Sequence, residues 1–186
     1  MFIQVPDNFN NTLEYLPILN GSLLADLIII SIVFFTPYFQ SNMLKTWYKN
    51  YRLSAVIADT LILVIGIIIT RWIYYKFEIK RRLVKANMNT EFVNLIIFLT
   101  ILVGVQILHD YLFYLAFTNI KTGTNKMLDL FKHYAKEVSY KAILGDSFMI
   151  IIAGILSSIF NKWGYNSNII VFVVLTYLTP YIIWAK

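Results

Sequence analysis

The chain has 186 residues, of which 59% are apolar, 17% aromatic and only 14% charged, with 16 Lys and Arg against 10 Asp and Glu for a net charge of +6. Soluble domains run at about 45–50% apolar and about 25% charged residues, so a mean hydropathy of +0.66 excludes an ordinary soluble domain and indicates a polytopic membrane protein. The absence of cysteine excludes a disulfide framework, a thiolate metal site, an iron–sulfur cluster and a cysteine nucleophile. Lys and Arg placed between apolar runs point to anionic lipid headgroups rather than nucleic acid.

The N-terminal stretch MFIQVPDNFN has no basic residue ahead of an apolar run. No cleavable signal peptide is therefore expected, and the first helix serves as its own insertion signal. Two glycosylation sequons lie here, Asn10-Asn11-Thr12 and Asn20-Gly21-Ser22; coincidence in an Asn-rich tail explains them as well as use does, and Asn20 sits close to the bilayer.

A hydrocarbon core about 30 Å thick needs roughly 20 mostly apolar helical residues. Five such runs follow in order: about 19–39, 53–73, 92–117, 142–160 and 168–184. Each is expected to be a helix, because an open strand edge cannot be satisfied in lipid and the alternation of a barrel strand is absent. Trp47, Trp72, Trp163 and Trp184 fall at the predicted interfaces, where an amphipathic ring is most comfortable. Pro37 and Pro180 are expected to kink or end the first and fifth spans. Small residues four apart, Ser54 with Ala58, Thr100 with Gly104, Ala153 with Ser157 and Gly154 with Ser158, predict close-packed helix faces.

Between the third and fourth spans, residues 124–141 place Met127, Phe131, Tyr134 and Val138 on one helical face and Lys132 and Lys136 on the other, the pattern of an interfacial amphipathic helix. Thr124 or Asn125 is the expected cap, and Glu137 with Lys141 an i,i+4 pair. Lys132 and Lys136 are its lipid-facing basic residues; the helix either binds anionic lipid or a partner or, the plainer reading, lies on the bilayer as a connector. The fold expectation is thus an all-α membrane bundle of about five transmembrane helices and one interfacial helix, forming a single domain over 1–186.

Five spans put the termini on opposite sides. The side holding the one–two and three–four loops and the C-terminus carries Lys45, Lys49, Arg52, Lys121, Lys126, Lys132, Lys136, Lys141 and Lys186, against Arg71, Lys76, Lys80, Arg81, Arg82, Lys85 and Lys162 on the other. Nine against seven, with Asp7 and Glu14 in a tail free of Lys and Arg, places the N-terminus outside or lumenal and the C-terminus in the cytoplasm.

A charged side chain at the helix centre costs at least about 2.5–3.5 kcal/mol, so Asp26, Asp59, Arg71, His109, Asp110 and Asp146 stand out. At about 1.5 Å per residue, Asp59 is roughly 9 Å in from Leu53, Asp146 roughly 8 Å in from Lys141 and Asp110 roughly 12 Å in from Thr118, all on one side. Gln106, His109, Asp110 and Phe113 share one stripe of the third span. The polar cluster Asp59, Gln106, His109, Asp110 and Asp146 has two readings. It is interhelical hydrogen-bond glue, or an ion or proton site, since an imidazole beside a carboxylate titrates near neutral pH and such groups can hold a divalent cation. Asp26 and Arg71 read as a structural ion pair in the opposite layer.

No Lys lies in a span, HExxH is absent and no local Ser-His-Asp set exists, so no cofactor and no enzymatic activity are expected.

The blocks LSAVIADTLILVIGIII, VQILHDYLFY, KTGTNKMLDLFKHYAKE and ILGDSFMIIIAGILSSI resemble a small family of multi-spanning membrane proteins of nucleocytoplasmic large DNA (giant) viruses. The resemblance implies insertion into host endoplasmic-reticulum-derived membrane and the inner membrane of the virion, with no catalytic role to carry over. The functional expectation is a virion membrane component serving structure or assembly, with a small proton- or cation-handling transporter or channel as the alternative. Membrane lipids with anionic headgroups, a second copy of the chain, and viral membrane or capsid proteins are the expected partners.

Overall fold

The computed structural model describes residues 3–38, 41–88 and 90–185. It is all-helical, with five helices long and apolar enough to cross a membrane, which makes the chain a polytopic membrane protein. The spanning helices are α1 (Tyr15–Phe35), α3 (Leu53–Lys76), α5 (Glu91–Asn119), α7 (Lys141–Phe160) and α8 (Tyr165–Ile183); between them lie α2 (Asn42–Tyr51), α4 (Ile79–Lys85) and α6 (Lys126–Val138). Phe39, where the sequence places the end of the first span, and Lys186 lie outside the described residues.

Local chemistry explains the boundaries. Pro17 falls in the first turn of α1, where its missing N–H has no intrahelical partner to lose, so the helix starts four residues before the expected Leu19. It stops where Thr36, extended at φ −125° and ψ 162°, precedes Pro37, as a residue before proline prefers. Side chains of Ser41, Thr90 and Asn125 accept from backbone N–H groups and cap α2, α5 and α6. Pro180 does not end α8, which runs through it to Ile183.

Spanning helix α1 is the hub, packing on α7, α8 and α3, while α5 packs on α7 and α3. At Gly21 a Cβ would stand 2.5 Å from the backbone N and 2.8 Å from the Cα of Ser157, so α1 and α7 touch there backbone to backbone. Of the four small-residue pairs, Ala153, Gly154, Ser157 and Ser158 are buried as expected, whereas Ser54, Ala58, Thr100 and Gly104 are exposed on the outer faces of α3 and α5. A Cβ at Gly104 would meet nothing within 4 Å, so that pair has no internal partner helix.

Two amphipathic helices, not one, close the end of the bundle where α1 finishes. The second is α2, a stretch for which the sequence predicts only an interfacial Trp47. Trp47 and Tyr48 on α2 are buried, and α6 lays its apolar face on protein: Phe131 packs on Trp47 at 4.9 Å and on Phe113 at 5.3 Å. Trp72, Trp163 and Trp184 are exposed as expected of an interfacial belt, but Trp47, at 3% exposure, is not.

Glu137 does not pair with Lys141, because α6 ends at Val138 and Ser139 turns the chain at φ 51°. Its carboxylate instead takes the N-terminus of α2, accepting from Asn42 N at 2.8 Å, Met43 N at 3.0 Å and Ser41 Oγ at 3.2 Å. Slight burial pushes this carboxyl up, but the two backbone N–H groups and the hydroxyl outweigh it and hold it below the usual carboxylate range.

Lys132 is not lipid-facing either. Its ammonium donates to the carbonyl of Ile120 and to Thr122 Oγ1 at 3.4 Å, with Asp129 at 3.8 Å, so it latches the α5–α6 loop; Lys136 remains exposed.

Candidate functional site

The end of the bundle where α3 finishes carries matched charge. Arg71, fully buried, meets Glu14 at 3.1 Å and donates to the carbonyls of Asn8 at 2.6 Å and Asn11 at 3.0 Å. The segment before α1 folds across this end: Asp7 accepts from Lys80 at 2.9 Å and from Asn94 at 2.8 Å, and Gln4 N donates to Ser158 O at 2.9 Å. Asn10 is exposed, whereas Asn20 is fully buried and donates to Asn168 Oδ1 at 3.1 Å, so the second sequon is closed to modification in the folded chain.

The expected pair of Asp26 with Arg71 is therefore wrong, and the register shows why. Asp26 lies twelve residues after Glu14 on α1, and Asp59 twelve residues before Arg71 on the antiparallel α3. At about 1.5 Å per residue both are roughly 18 Å from the Glu14–Arg71 pair. Asp26 is level with Asp59, in the acidic layer.

That layer draws on all but one of the spanning helices. From α1, Asp26 is fully buried and accepts from the hydroxyl of Tyr48 at 3.2 Å. From α3, Asp59 accepts from the indole Nε1–H of Trp47 at 2.9 Å and faces the same Tyr48 hydroxyl. From α5, Asp110 Oδ1 accepts from Gln106 Nε2 at 2.7 Å and lies 3.2 Å from His109 Nδ1, whose ring stacks on Phe113 at 5.8 Å. The one-turn spacing from Gln106 to Asp110 makes that bond local to the helix. From α7, the carboxyl of Asp146 has no hydrogen bond to another described residue. Buried Oδ2 atoms of Asp26 and Asp110 are also without a hydrogen-bond partner among the described residues.

The interfacial helices complete the layer. Tyr134 on α6 stands among the carboxyls: burial first, then Asp146, Asp59, Asp110 and Glu137, push its phenol up. Burial, followed by Asp59 and Asp26, holds Tyr48 well above its ordinary value. Both phenols therefore serve as neutral O–H groups. Tyr48, Trp47 and Tyr134 were not singled out from the sequence as parts of the site. A signal for α2 did exist, since Leu44, Trp47, Tyr48 and Tyr51 recur at three- and four-residue spacing.

Among the described residues no Lys or Arg lies in ion-pair contact with Asp26, Asp59, Asp110 or Asp146; the ion pairs of Lys and Arg engage Glu14, Asp7, Glu78, Asp129 and Glu91. Nor, among the described residues, do three His, Asp or Glu side chains form a group that could hold a metal ion. No family model, curated protein or solved structure matches the chain.

Proposed function

We propose that this membrane protein handles protons or cations through its acidic layer, formed by Asp26, Asp59, Asp110 and Asp146 with Gln106, His109, Tyr48 and Tyr134. One observation carries the reading: four carboxyls from four spanning helices gather at one level, and among the described residues none of them has a Lys or Arg in ion-pair contact, while His109 lies beside Asp110. Hydrogen-bond glue needs its groups satisfied, because an unpaired charge in a membrane interior costs several kcal/mol and adds no cohesion. Ionisable groups kept there uncompensated are characteristic of ion pathways and proton relays.

Reconstituted vesicles test this directly. Proton or cation flux above that of empty liposomes, lost in Asp110→Asn, is expected; flux equal to empty liposomes overturns it. With the N-terminus outside or lumenal, the acidic layer lies nearer the cytoplasmic face.

A second reading, a virion membrane component serving structure or assembly, is favoured by the resemblance of the four sequence blocks. The helix arrangement adds nothing specific to it. Presence in infected-cell membranes together with absence from purified virions overturns that reading.

A further inference from the structure

The groups around the acidic layer bear on what it binds. A hard cation needs several oxygen lone pairs converging on it. Here the groups that approach the carboxyls are N–H and O–H donors: the Trp47 indole at 2.9 Å from Asp59, the Gln106 amide at 2.7 Å from Asp110 and the Tyr48 hydroxyl at 3.2 Å from Asp26. Such donors present positive ends where a cation requires negative ones. A proton needs only one oxygen and an acceptor beside it.

Tyr48, with 1% of its surface exposed, donates to Asp26 on α1 at 3.2 Å and has Asp59 on α3 as its second carboxyl neighbour. Its single O–H can donate to one of them only. The phenol oxygen remains an acceptor, so the other carboxyl binds it well only when that carboxyl carries a proton. With one proton on the pair the three groups form a closed chain, Asp59 to Tyr48 to Asp26; with none, two carboxylates face one donor. Resting on the transport reading above, we infer that the ligand of this layer is a proton, and that Asp26 and Asp59 share one across the hydroxyl of Tyr48, which relays it between α3 and α1.

The relay balances. The O–H of protonated Asp59 breaks as its proton forms a new O–H at the phenol oxygen, while the original phenol O–H breaks and its proton forms the O–H of Asp26. One proton crosses from α3 to α1, and Tyr48 ends as the neutral phenol it was. Trp47 holds Asp59 in place through Oδ2 at 2.9 Å, as a positioning residue.

The surroundings fit this assignment. The titratable groups facing the pair are Tyr134 on α6, Asp146 on α7 and Asp110, bonded to His109, on α5; α8 carries no Asp, Glu, His, Lys or Arg. Among the described residues no Lys or Arg is in ion-pair contact with either carboxyl, and a shared proton takes that place. Next to the pair, Ser22, one turn before Asp26, and Thr60, adjoining Asp59, carry buried hydroxyl oxygens without a partner among the described residues, which continues the polar lining along both helices.

The test is infrared spectroscopy of the full chain in lipid nanodiscs, run beside proton flux in liposomes, for wild type, Tyr48→Phe, Tyr51→Phe and the Asp26→Asn/Asp59→Asn double variant. Tyr51→Phe makes the same loss of a hydroxyl three residues further along α2. The inference expects a protonated-carboxyl band in wild type at neutral pH, shifted in Tyr48→Phe, unshifted in Tyr51→Phe and absent from the double variant. Flux should fall about a hundredfold in Tyr48→Phe, the low end of what a positioned proton-transfer group contributes. A missing band, a band indifferent to Tyr48→Phe, or a band that survives in the double variant overturns the shared proton whatever the flux. A band behaving as expected in a protein without flux supports the shared proton and overturns the transport reading.

Discussion

At the end of the bundle where α3 finishes, Arg71 meets Glu14, Lys80 meets Asp7 and Lys162 meets Glu91. Roughly 18 Å away along α1 and α3, in the layer of Asp26 and Asp59, four carboxyls have no such partner among the described residues. The two ends are built from the same helices, so the difference is not one of fold. A bundle that needed polar residues only for cohesion would pair them at both ends. The matched end holds the helices together with the segment before α1 folded across it, and on the function proposed above the unmatched end keeps charge, or a proton, available. Two amphipathic helices, joined by Glu137, cover that unmatched end.

This contrast is easiest to break at Arg71. In Arg71→Leu, Glu14 is left buried at 3% exposure without its cation, and the carbonyls of Asn8 and Asn11 lose their donor. Removal of one partner from a buried pair costs about 3–5 kcal/mol, so thermal unfolding in detergent should shift far down. Equal stability of Arg71→Leu and wild type would mean that the matched end contributes no cohesion.

The middle of α1 comes next. In Gly21→Val the new side chain must enter the Ser157 backbone, which cannot move aside as a side chain can. Overpacking of this kind costs about 1–3 kcal/mol. Gly154→Ala is the milder comparison, since its Cβ would meet the methyl ends of Leu99 and Leu102 at 2.7 and 2.9 Å, and those can rotate. A Gly154→Ala loss as large as that of Gly21→Val would show that side chains, not backbones, set the α1–α7–α5 spacing.

At the unmatched end the sign should reverse. Asp146→Asn and Asp110→Asn each remove an acid that, among the described residues, no Lys or Arg pairs, so stability should stay within about 1 kcal/mol of wild type or rise, as is common where a group is retained for function at a cost in stability. A clear loss, comparable to that of Arg71→Leu, would return the acidic layer to the role of interhelical glue.

These two ends also differ in how much of them the sequence discloses. The spans are legible because runs of about 20 apolar residues have few other homes, and Asp59, Asp110 and Asp146 could be assigned to one layer because consecutive spans alternate direction. Asp26 was misplaced for a definable reason. Opposite charge drew it to Arg71, although the equal twelve-residue offsets from Glu14 and to Asp59 were countable once Glu14 was allowed to stand at the start of a helix. Trp47 looks like an interface aromatic because aromatic flanks are common beside spans; its burial against Phe131 of α6, and that of Tyr48 against Phe34 and Asp26 of α1, depend on tertiary packing that no local pattern encodes. Lys132 is a similar case, since its latch to Ile120 exists only once the α5–α6 turn has formed.

The smallest effect belongs to the clasp between the two covering helices. The folded value of Glu137 lies below its unfolded one, so its contribution is fully present above the ordinary carboxylate range and is lost as pH falls through the folded value. Its carboxylate is almost fully solvated, so global stability should barely respond. The local readout is hydrogen exchange at Asn42 and Met43, whose amides donate to it at 2.8 and 3.0 Å. Protection of these amides relative to the rest of α2 should hold from neutral pH down to the ordinary carboxylate range and vanish below it. In Glu137→Ala it should be missing throughout. Protection that outlasts acidification, or that survives the substitution, would assign the hold on α2 to Trp47 against Phe131 instead, and would leave the cover over the acidic layer indifferent to pH.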